Sequence, residues 1–229
     1  GVVGHAISEE SLRASIVVFN ENRRWLRELY RIKRETPWKI AAEDAYSLVA
    51  MAGMIPREEH NELMKYVLPL IEASENKKDD RLRVVFEGGF CEQPPLDLVR
   101  LIGRSAYLVD DDLLIGLRYI LSDIPAAEDP LQDLAHAYIE QSTYSPVQHD
   151  LRKPKEKMLV ARYMAAQGEA VIVTAAKMCE PGLEEQVAYI HELEALGIPH
   201  FVSEFEERMT SFSDLELQLE TFMENILFA

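Results

Sequence analysis

The sequence predicts an α/β protein in which an all-helical segment, residues 1–76, precedes an α/β domain, residues 82–229, built on a four-stranded parallel sheet. Three observations lead to this prediction. Helical periodicity without a strand-like run extends from residue 9 to about residue 74. Beyond it, four short runs of apolar residues alternate with helical patterns, and those runs are too apolar to leave one face in water. Strands that need both faces covered are typical of a parallel sheet between layers of helices.

The helical segment is predicted to contain three helices. Proline ends the first pattern at Pro37, and a second break follows Gly53 near Pro56, which leaves helices of about 25, 15 and 17 residues. Apolar side chains recur at helical spacing along the first of them, at Leu12, Ile16, Phe19, Leu26 and Leu29. The polar stretch 74–80 has no period and is the candidate linker. The segment could be an arm that packs on something else.

The α/β domain is predicted to begin with a strand and to alternate strands with helices. The predicted strands are 83–87, 106–109, 170–173 and 200–202. The predicted helices are 95–104, 113–121, 131–141, 154–167, 181–196 and 213–227. We interpret this pattern as a flavodoxin-like unit with strand order 2-1-3-4, in which ligands bind beyond the carboxyl ends of the two central strands.

The composition excludes two classes of partner. Forty acidic residues against 24 Lys and Arg give a net charge of −16, which repels nucleic acid and anionic membrane surfaces. No apolar run approaches the roughly 20 residues that a membrane-spanning helix needs. The first residues lack the pattern of a secretory signal, so we expect a cytoplasmic, reducing location.

The two cysteines are the strongest candidates for chemistry. Cys91 follows the first predicted strand and Cys179 follows the third, and these strands are neighbours in the order 2-1-3-4. We therefore expect both thiols at one edge of the sheet, each on a loop that enters a helix near Pro95 or Pro181, where a helix N-terminus favours negative charge. Thiolates select zinc, copper(I) or iron–sulfur clusters, and two of them leave such a site short of ligands. Inert burial of both cysteines is the alternative.

An acidic triplet, residues 110–112, follows the second predicted strand. Together with Thr174 and Lys177 it could bind magnesium as phosphoacceptor receiver domains do, but those domains carry the acidic pair after the first strand. We favour a helix-capping role for Asp112.

The remaining polar features favour structural roles. Gly88 and Gly89 could approach a phosphate, but they lack the spacing of a dinucleotide-binding loop. The basic stretch 152–157 could meet phosphates, although a solvated first turn of a helix explains it better. His149, His191 and His200 show no metal-ligand spacing to one another.

Several local sequences resemble one enzyme family. They read GGFCEQPP at 88–95, VDDDLLIGLR at 109–118, KMCEPG at 177–182 and QLETFME at 218–224, with ISEESL at 7–12 and NENRR at 20–24 in the helical segment. In order and spacing they are similar to the benzoyl-CoA reductase and 2-hydroxyacyl-CoA dehydratase family. The resemblance covers nearly the whole chain.

The resemblance implies a subunit with a four-iron four-sulfur (4Fe-4S) cluster held by three cysteines. It implies Cys91 and Cys179 as two of the ligands, with Gly89, Glu92 and Lys177 just behind them. The implied partners are a homologous second subunit, an ATP-hydrolysing activator protein and an acyl-CoA substrate. Family members begin with another α/β domain that supplies a further cysteine. This chain has no such domain, so we expect it to be inactive alone.

We therefore predict an iron–sulfur subunit of a benzoyl-CoA-reductase-like enzyme, which takes low-potential electrons from the activator for the one-electron reduction of an aromatic acyl-CoA. Two alternatives stay open: a subunit of a 2-hydroxyacyl-CoA dehydratase, and a non-catalytic scaffold or docking subunit. No catalytic residue is assigned.

Overall fold

The computed structural model describes residue 4 and residues 6–89, 92–127, 129–143, 150–206 and 208–228. The described strands form one parallel sheet in the order β2-β1-β3-β4, as the sequence predicts. The strands are β1 (Leu82–Glu87), β2 (Ala106–Asp111), β3 (Ala170–Ala176) and β4 (His200–Phe205). Strands β2, β3 and β4 extend two or three residues beyond their predicted ends, and β1 begins one residue earlier, at Leu82.

The helices cover both the leading segment and the two faces of the sheet. In chain order they are α1 (Glu9–Glu35), a short 3-10 helix (Pro37–Lys39), α2 (Ala42–Met51), α3 (Arg57–Glu72), α4 (Leu96–Ser105), α5 (Ile115–Arg118), α6 (Pro130–Glu140), α7 (Lys155–Ala165), α8 (Glu180–Ala195) and α9 (Ser213–Leu227). Within the described residues, none of these helices is both long and apolar enough to cross a bilayer.

Helix α5 is shorter than the predicted helix 113–121. Leu114, which precedes it, has a left-handed backbone with φ of 55°, and the chain leaves the helix after Arg118. Ile120 then forms an isolated antiparallel bridge with Ser142. The prediction was wrong here because this bridge and the buried contacts of Arg118 hold the chain outside a helix.

The two faces of the sheet are covered by separate apolar clusters. Val84 and Phe86 of β1 point into a cluster with α4 and α9, whereas Val85 points into a second cluster with α7 and α8. All three side chains are fully buried. Burial on alternate sides of one strand explains why its sequence is apolar throughout rather than alternating.

The helical segment packs on the sheet domain. Its own core joins α1, α2 and α3. The last turn of α1 lies on β2, where Lys33 and Arg34 form ion pairs with Asp111 and Asp110. Farther up α1, the Asn20 side chain bonds to both the N–H and the carbonyl of Ile124, at 2.9 and 2.7 Å.

Strand β1 ends in a turn that only glycine can form. Gly88 has φ of +128°, and a Cβ on it would lie 1.5 Å from the carbonyl oxygen of Thr174, at the end of β3. The backbone carbonyl of Thr174 thus occupies the space in which any other residue at position 88 would place its Cβ.

Gly88→Ala should therefore destabilise the fold by more than about 4 kcal/mol, because it adds both a steric clash and backbone strain. Urea denaturation, monitored by circular dichroism, measures the effect. Gly116→Ala is the control: no atom lies within 4 Å of its added Cβ, and its effect should stay within about 1 kcal/mol. Equal unfolding midpoints for the two variants would contradict the prediction.

Candidate functional site

The candidate site lies at the carboxyl edge of the sheet, where β1, β2 and β3 end side by side. A small cavity of about 20 Å³ opens there, between Glu87, Asp112, Thr174, Cys179 and Tyr189. This volume is roughly that of one water molecule. The edge is therefore closely packed, and its geometry is set by the loops that leave the three strands.

Cys179 lies at the entrance to α8, three residues after the end of β3. It is the residue that precedes the first turn of the helix, and it is 7% exposed. Gly182 faces its sulfur: a Cβ on Gly182 would lie 3.2 Å from Cys179 Sγ. The glycine therefore leaves space beside the thiol.

Cys91, the other predicted ligand, lies outside the described residues, but the chain on either side of it is described. Before it, the N–H groups of Gly88 and Gly89 donate to Asp112 Oδ1, at 2.8 and 3.4 Å. After it, the Gln93 side chain donates to the Gly89 carbonyl and accepts from the Leu114 N–H. The loop that carries Cys91 is thus held at both ends by hydrogen bonds, most of them to the loop after β2.

Asp112 does not have the predicted capping role. The residue before the first turn of α5 is Leu114, and no side chain caps that helix. The Asp112 carboxylate turns instead toward the end of β1, where the N–H groups of Gly88 and Gly89 hold it. Because these N–H groups already have an acceptor, they do not form the phosphate-binding loop that we considered.

The residues predicted to lie just behind the ligands have different surroundings. Gly89 is buried, and an added Cβ would meet Leu113 Cδ2 at 2.9 Å. Glu92 is exposed. Lys177 forms an exposed ion pair with Glu206, 2.7 Å from Nζ to Oε1, at the end of β4. Of the three, the structure shows close packing only for Gly89.

Asp110 and Asp111 are buried among cations. Asp111 accepts from Lys33, from Arg118 at 3.1 Å and from the Tyr30 hydroxyl at 2.7 Å. Burial opposes ionisation, but Lys33 and Arg118 outweigh it and lower the pKa of Asp111. Because these carboxylates are occupied by cations, the acidic triplet does not offer a magnesium site.

A second ion pair lies beneath the cavity. Arg162 of α7 bonds to Glu87, the last residue of β1, which is 1% exposed and also bonds to Tyr189. Burial, reinforced by the charge of Asp112, raises the pKa of Glu87 well above its ordinary value. Burial also raises the pKa of Tyr189, so its hydroxyl stays protonated.

Sequence reasoning missed Glu87, Arg162, Tyr189 and Gln93. Only Glu87 carries a local signal, because it is a charged residue that ends a buried apolar strand. Arg162 lies 75 positions from Glu87 along the chain, and Gln93 lies 21 positions from Leu114. Their roles become visible only when the strands are placed side by side.

The carboxyl edge of the sheet, which we call the thiol edge because Cys179 lies there, suits a cluster in its donor chemistry. Deprotonated, the thiol of Cys179 is the soft ligand that iron in a sulfide cluster prefers. The sequence holds two cysteines, so a three-cysteine site needs a ligand from elsewhere. Among the described residues, histidine, cysteine and carboxylate side chains form no group of three or more that could hold a metal ion.

An α/β fold of this topology, with Cys179 at the carboxyl edge, is of the class in which ligands bind at a strand switch point. The chain belongs to the family described as 2-hydroxyglutaryl-CoA dehydratase, D-component, whose model matches residues 1–226. The resemblance seen in the sequence is therefore confirmed.

Characterised relatives include both reductases and dehydratases. The chain is 33% identical over 225 residues to a benzoyl-CoA reductase subunit from Thauera aromatica, covering 97% of this chain and 58% of the relative. It is 27% identical to the beta subunit of lactoyl-CoA dehydratase from Anaerotignum propionicum, covering 97% and 59%. It is 24% identical to the beta subunit of (R)-2-hydroxyglutaryl-CoA dehydratase from Acidaminococcus fermentans, covering 98% and 60%. The chain thus spans less than two thirds of the length of these relatives.

The half-buried carboxylate of Asp112 should make the stability of the fold depend on pH. Burial, with repulsion from Asp111, raises its pKa to about 6 although the Gly88 N–H opposes the rise. The unfolded value is about 3.9, so the folded chain binds this proton more tightly, and the stability from this group is lost as the pH rises from about 4 through about 6. Asp112→Asn keeps an oxygen acceptor and cannot ionise. Relative to the unmodified chain, it should gain about 1 kcal/mol of stability between about pH 5 and about pH 7.

Urea denaturation at the two pH values measures this difference. Asp214→Asn, at an exposed position in the first turn of α9, controls for the loss of one negative charge from an acidic chain. An Asp112→Asn variant whose stability relative to the unmodified chain is the same at both pH values would show that the carboxylate does not titrate in this range.

Proposed function

We propose that this chain belongs to an iron–sulfur subunit of a benzoyl-CoA-reductase-like enzyme, which accepts low-potential electrons from an ATP-hydrolysing activator and reduces an aromatic acyl-CoA by one-electron steps. One observation carries the proposal. In a chain of this family, Cys179 lies at the carboxyl edge of the sheet, directly before the first turn of α8. The 33% identity to the Thauera aromatica benzoyl-CoA reductase protein favours the reductase.

In this proposal, Cys91 and Cys179 are two ligands of a 4Fe-4S cluster, and a third comes from outside the 229 residues. Bound there, the cluster would pass single electrons to a thioester-activated carbonyl. The chain's own residues position these ligands. Asp112 and Gln93 hold the ends of the Cys91 loop, and Gly182 keeps the space beside the Cys179 sulfur free. The enzyme is completed by a homologous second subunit.

A 2-hydroxyacyl-CoA dehydratase subunit is the second candidate, because the family is described as a dehydratase component and two of the relatives named above are dehydratases. The two reactions differ in their acyl-CoA substrates and share the one-electron reduction of the thioester. Assays of the full-length protein, with its partner subunit and activator, therefore use benzoyl-CoA and a 2-hydroxyacyl-CoA in parallel. Turnover of only the 2-hydroxyacyl-CoA would show that the chain belongs to a dehydratase and not to a reductase.

Cys179→Ala should remove most of the cluster iron and the activity from the anaerobically purified full-length complex, because a soft thiolate ligand is lost. Iron and acid-labile sulfide analysis measures the cluster content. Lys177→Ala is the matched control: it lies two residues away on the same loop, and its charge is already paired with Glu206 at the surface. It should retain the cluster. Full iron content in Cys179→Ala would remove this cysteine from the site.

The 229-residue chain alone should not hold a stoichiometric 4Fe-4S cluster, since its two cysteines leave ligand positions open. Anaerobic reconstitution with iron and sulfide, followed by metal analysis and electron paramagnetic resonance of the reduced sample, tests this. Four irons bound per chain would show that a residue other than cysteine completes the site.

A further inference from the structure

A second, much larger cavity lies at the opposite edge of the sheet, between the helical segment and the α/β domain. Its volume is about 630 Å³, and it is bordered by the start of β2, the end of α4, the 3-10 helix with the start of α2, and the linker before β1. The six residues of β2 separate this amino edge from the thiol edge by roughly 16 Å. The cavity is therefore distinct from the candidate cluster site.

The lining of this cavity, which we call the basic cavity, is cationic in a strongly acidic protein. Two acidic side chains line it, Glu43 and Asp79, whereas the chain as a whole has 40 acidic residues against 24 basic ones. Five basic side chains line it: Lys33, Lys77, Arg81, Arg100 and Arg104. The charge of the lining is thus opposite in sign to that of the chain.

Both acidic side chains of the basic cavity are already bound by arginines. Arg81 pairs with Asp79 at 2.6 Å, and Arg100 pairs with Glu43 at 3.4 Å. The ammonium group of Lys33 is paired with Asp111, so two cations are left for a ligand. Within the described residues Lys77 makes no ion pair, and Arg104 is 66% exposed and lies 3.8 Å from its partner Glu216. These two basic groups favour a ligand with more than one negative charge.

The basic cavity also has an apolar, aromatic part and borders the N-terminus of α2. The half-buried indole of Trp38 lines it, as do the apolar residues Ile40 and Ala45. The chain enters α2 through Ala41, which gives that helix no side-chain cap, and Ala41 and Ala42 line the cavity too. A ligand that fits this lining combines a planar ring with an anionic group.

We propose that the basic cavity binds a nucleoside phosphate, with its phosphates toward Lys77 and Arg104 and its base toward Trp38. The volume lies in the range of small-molecule sites and accommodates a mononucleotide. The ligand is either a free nucleotide or the nucleotide part of a coenzyme A ester, because both present an adenosine phosphate. This proposal does not depend on the cluster site.

Isothermal titration calorimetry of the full chain with ADP, coenzyme A, adenosine and pyrophosphate tests the proposal. ADP or coenzyme A should bind more tightly than either adenosine or pyrophosphate. Lys77→Glu and Arg104→Glu should each weaken that binding by about tenfold or more, since each reverses a charge beside the phosphates. Which of the two adenosine phosphates binds more tightly identifies the source of the ligand.

Lys78→Glu is the matched control for these charge reversals. Lys78 is an exposed neighbour of Lys77 in the linker and does not line the cavity, so the variant makes the same change in net charge. It should bind the nucleotide like the unmodified chain. The intrinsic fluorescence should change on ADP addition in Trp25→Phe, which keeps Trp38, and should not change in Trp38→Phe.

Three results would overturn the proposal. The first is the absence of binding by both ADP and coenzyme A. The second is equal weakening by Lys77→Glu and Lys78→Glu, which would show that only the net charge of the chain matters. The third is pyrophosphate binding as tight as that of ADP, which would remove the nucleoside from the ligand.

Discussion

The ion pairs between the end of β2 and the last turn of α1 are the constraint on which the rest of the structure depends. The Asp110 side chain is fully buried, and those of Asp111 and Lys33 are each 5% exposed. A buried carboxylate without its cation costs several kcal/mol, so Asp110 and Asp111 are buried together with the cations of α1 and with Arg118. Such pairs add little net stability, because desolvation offsets most of the attraction. Their role here is to fix the position of α1 on the sheet, because α1 fits only where Lys33 contacts Asp111.

The loops of the thiol edge are positioned next to these ion pairs. The loop after β2 begins at the anchored carboxylates, and its next residues, Asp112 and Leu114, bond to Gly88, Gly89 and Gln93 on the loop after β1. The residues on either side of Cys91 are thus held by hydrogen bonds to a neighbouring loop that involve side chains, and not by strand pairing. Cys179 is held differently, by its own helix entrance after β3. The two predicted ligands therefore depend on different parts of the fold.

The sheet was predictable because its determinants are local. Short apolar runs such as the one around Val84 and Val85 must be covered on both faces, and this requirement implies the parallel sheet with helices on either side. The motifs around Cys91 and Cys179 likewise made the family predictable. The charge network was not predictable, because 78 positions separate Lys33 from Asp111 and the local sequence around either residue does not indicate its partner. The capping role expected of Asp112 was wrong for the same reason, since local spacing favours a cap whereas the folded chain offers the two N–H groups after β1.

The helical segment links the two edges of the sheet. Lys33 contributes to the lining of the basic cavity while its ammonium group reaches Asp111 at the opposite end of β2. A long, flexible lysine stem makes this possible, because it packs along apolar surface and carries its charge to a distant partner. Loss of this one side chain would leave Asp111 paired with Arg118 and would remove part of the lining of the cavity. Loss of the exposed charges at Lys77 or Arg104 would leave the thiol edge unchanged. The segment that the sequence presents as a separate arm is therefore a structural part of both sites.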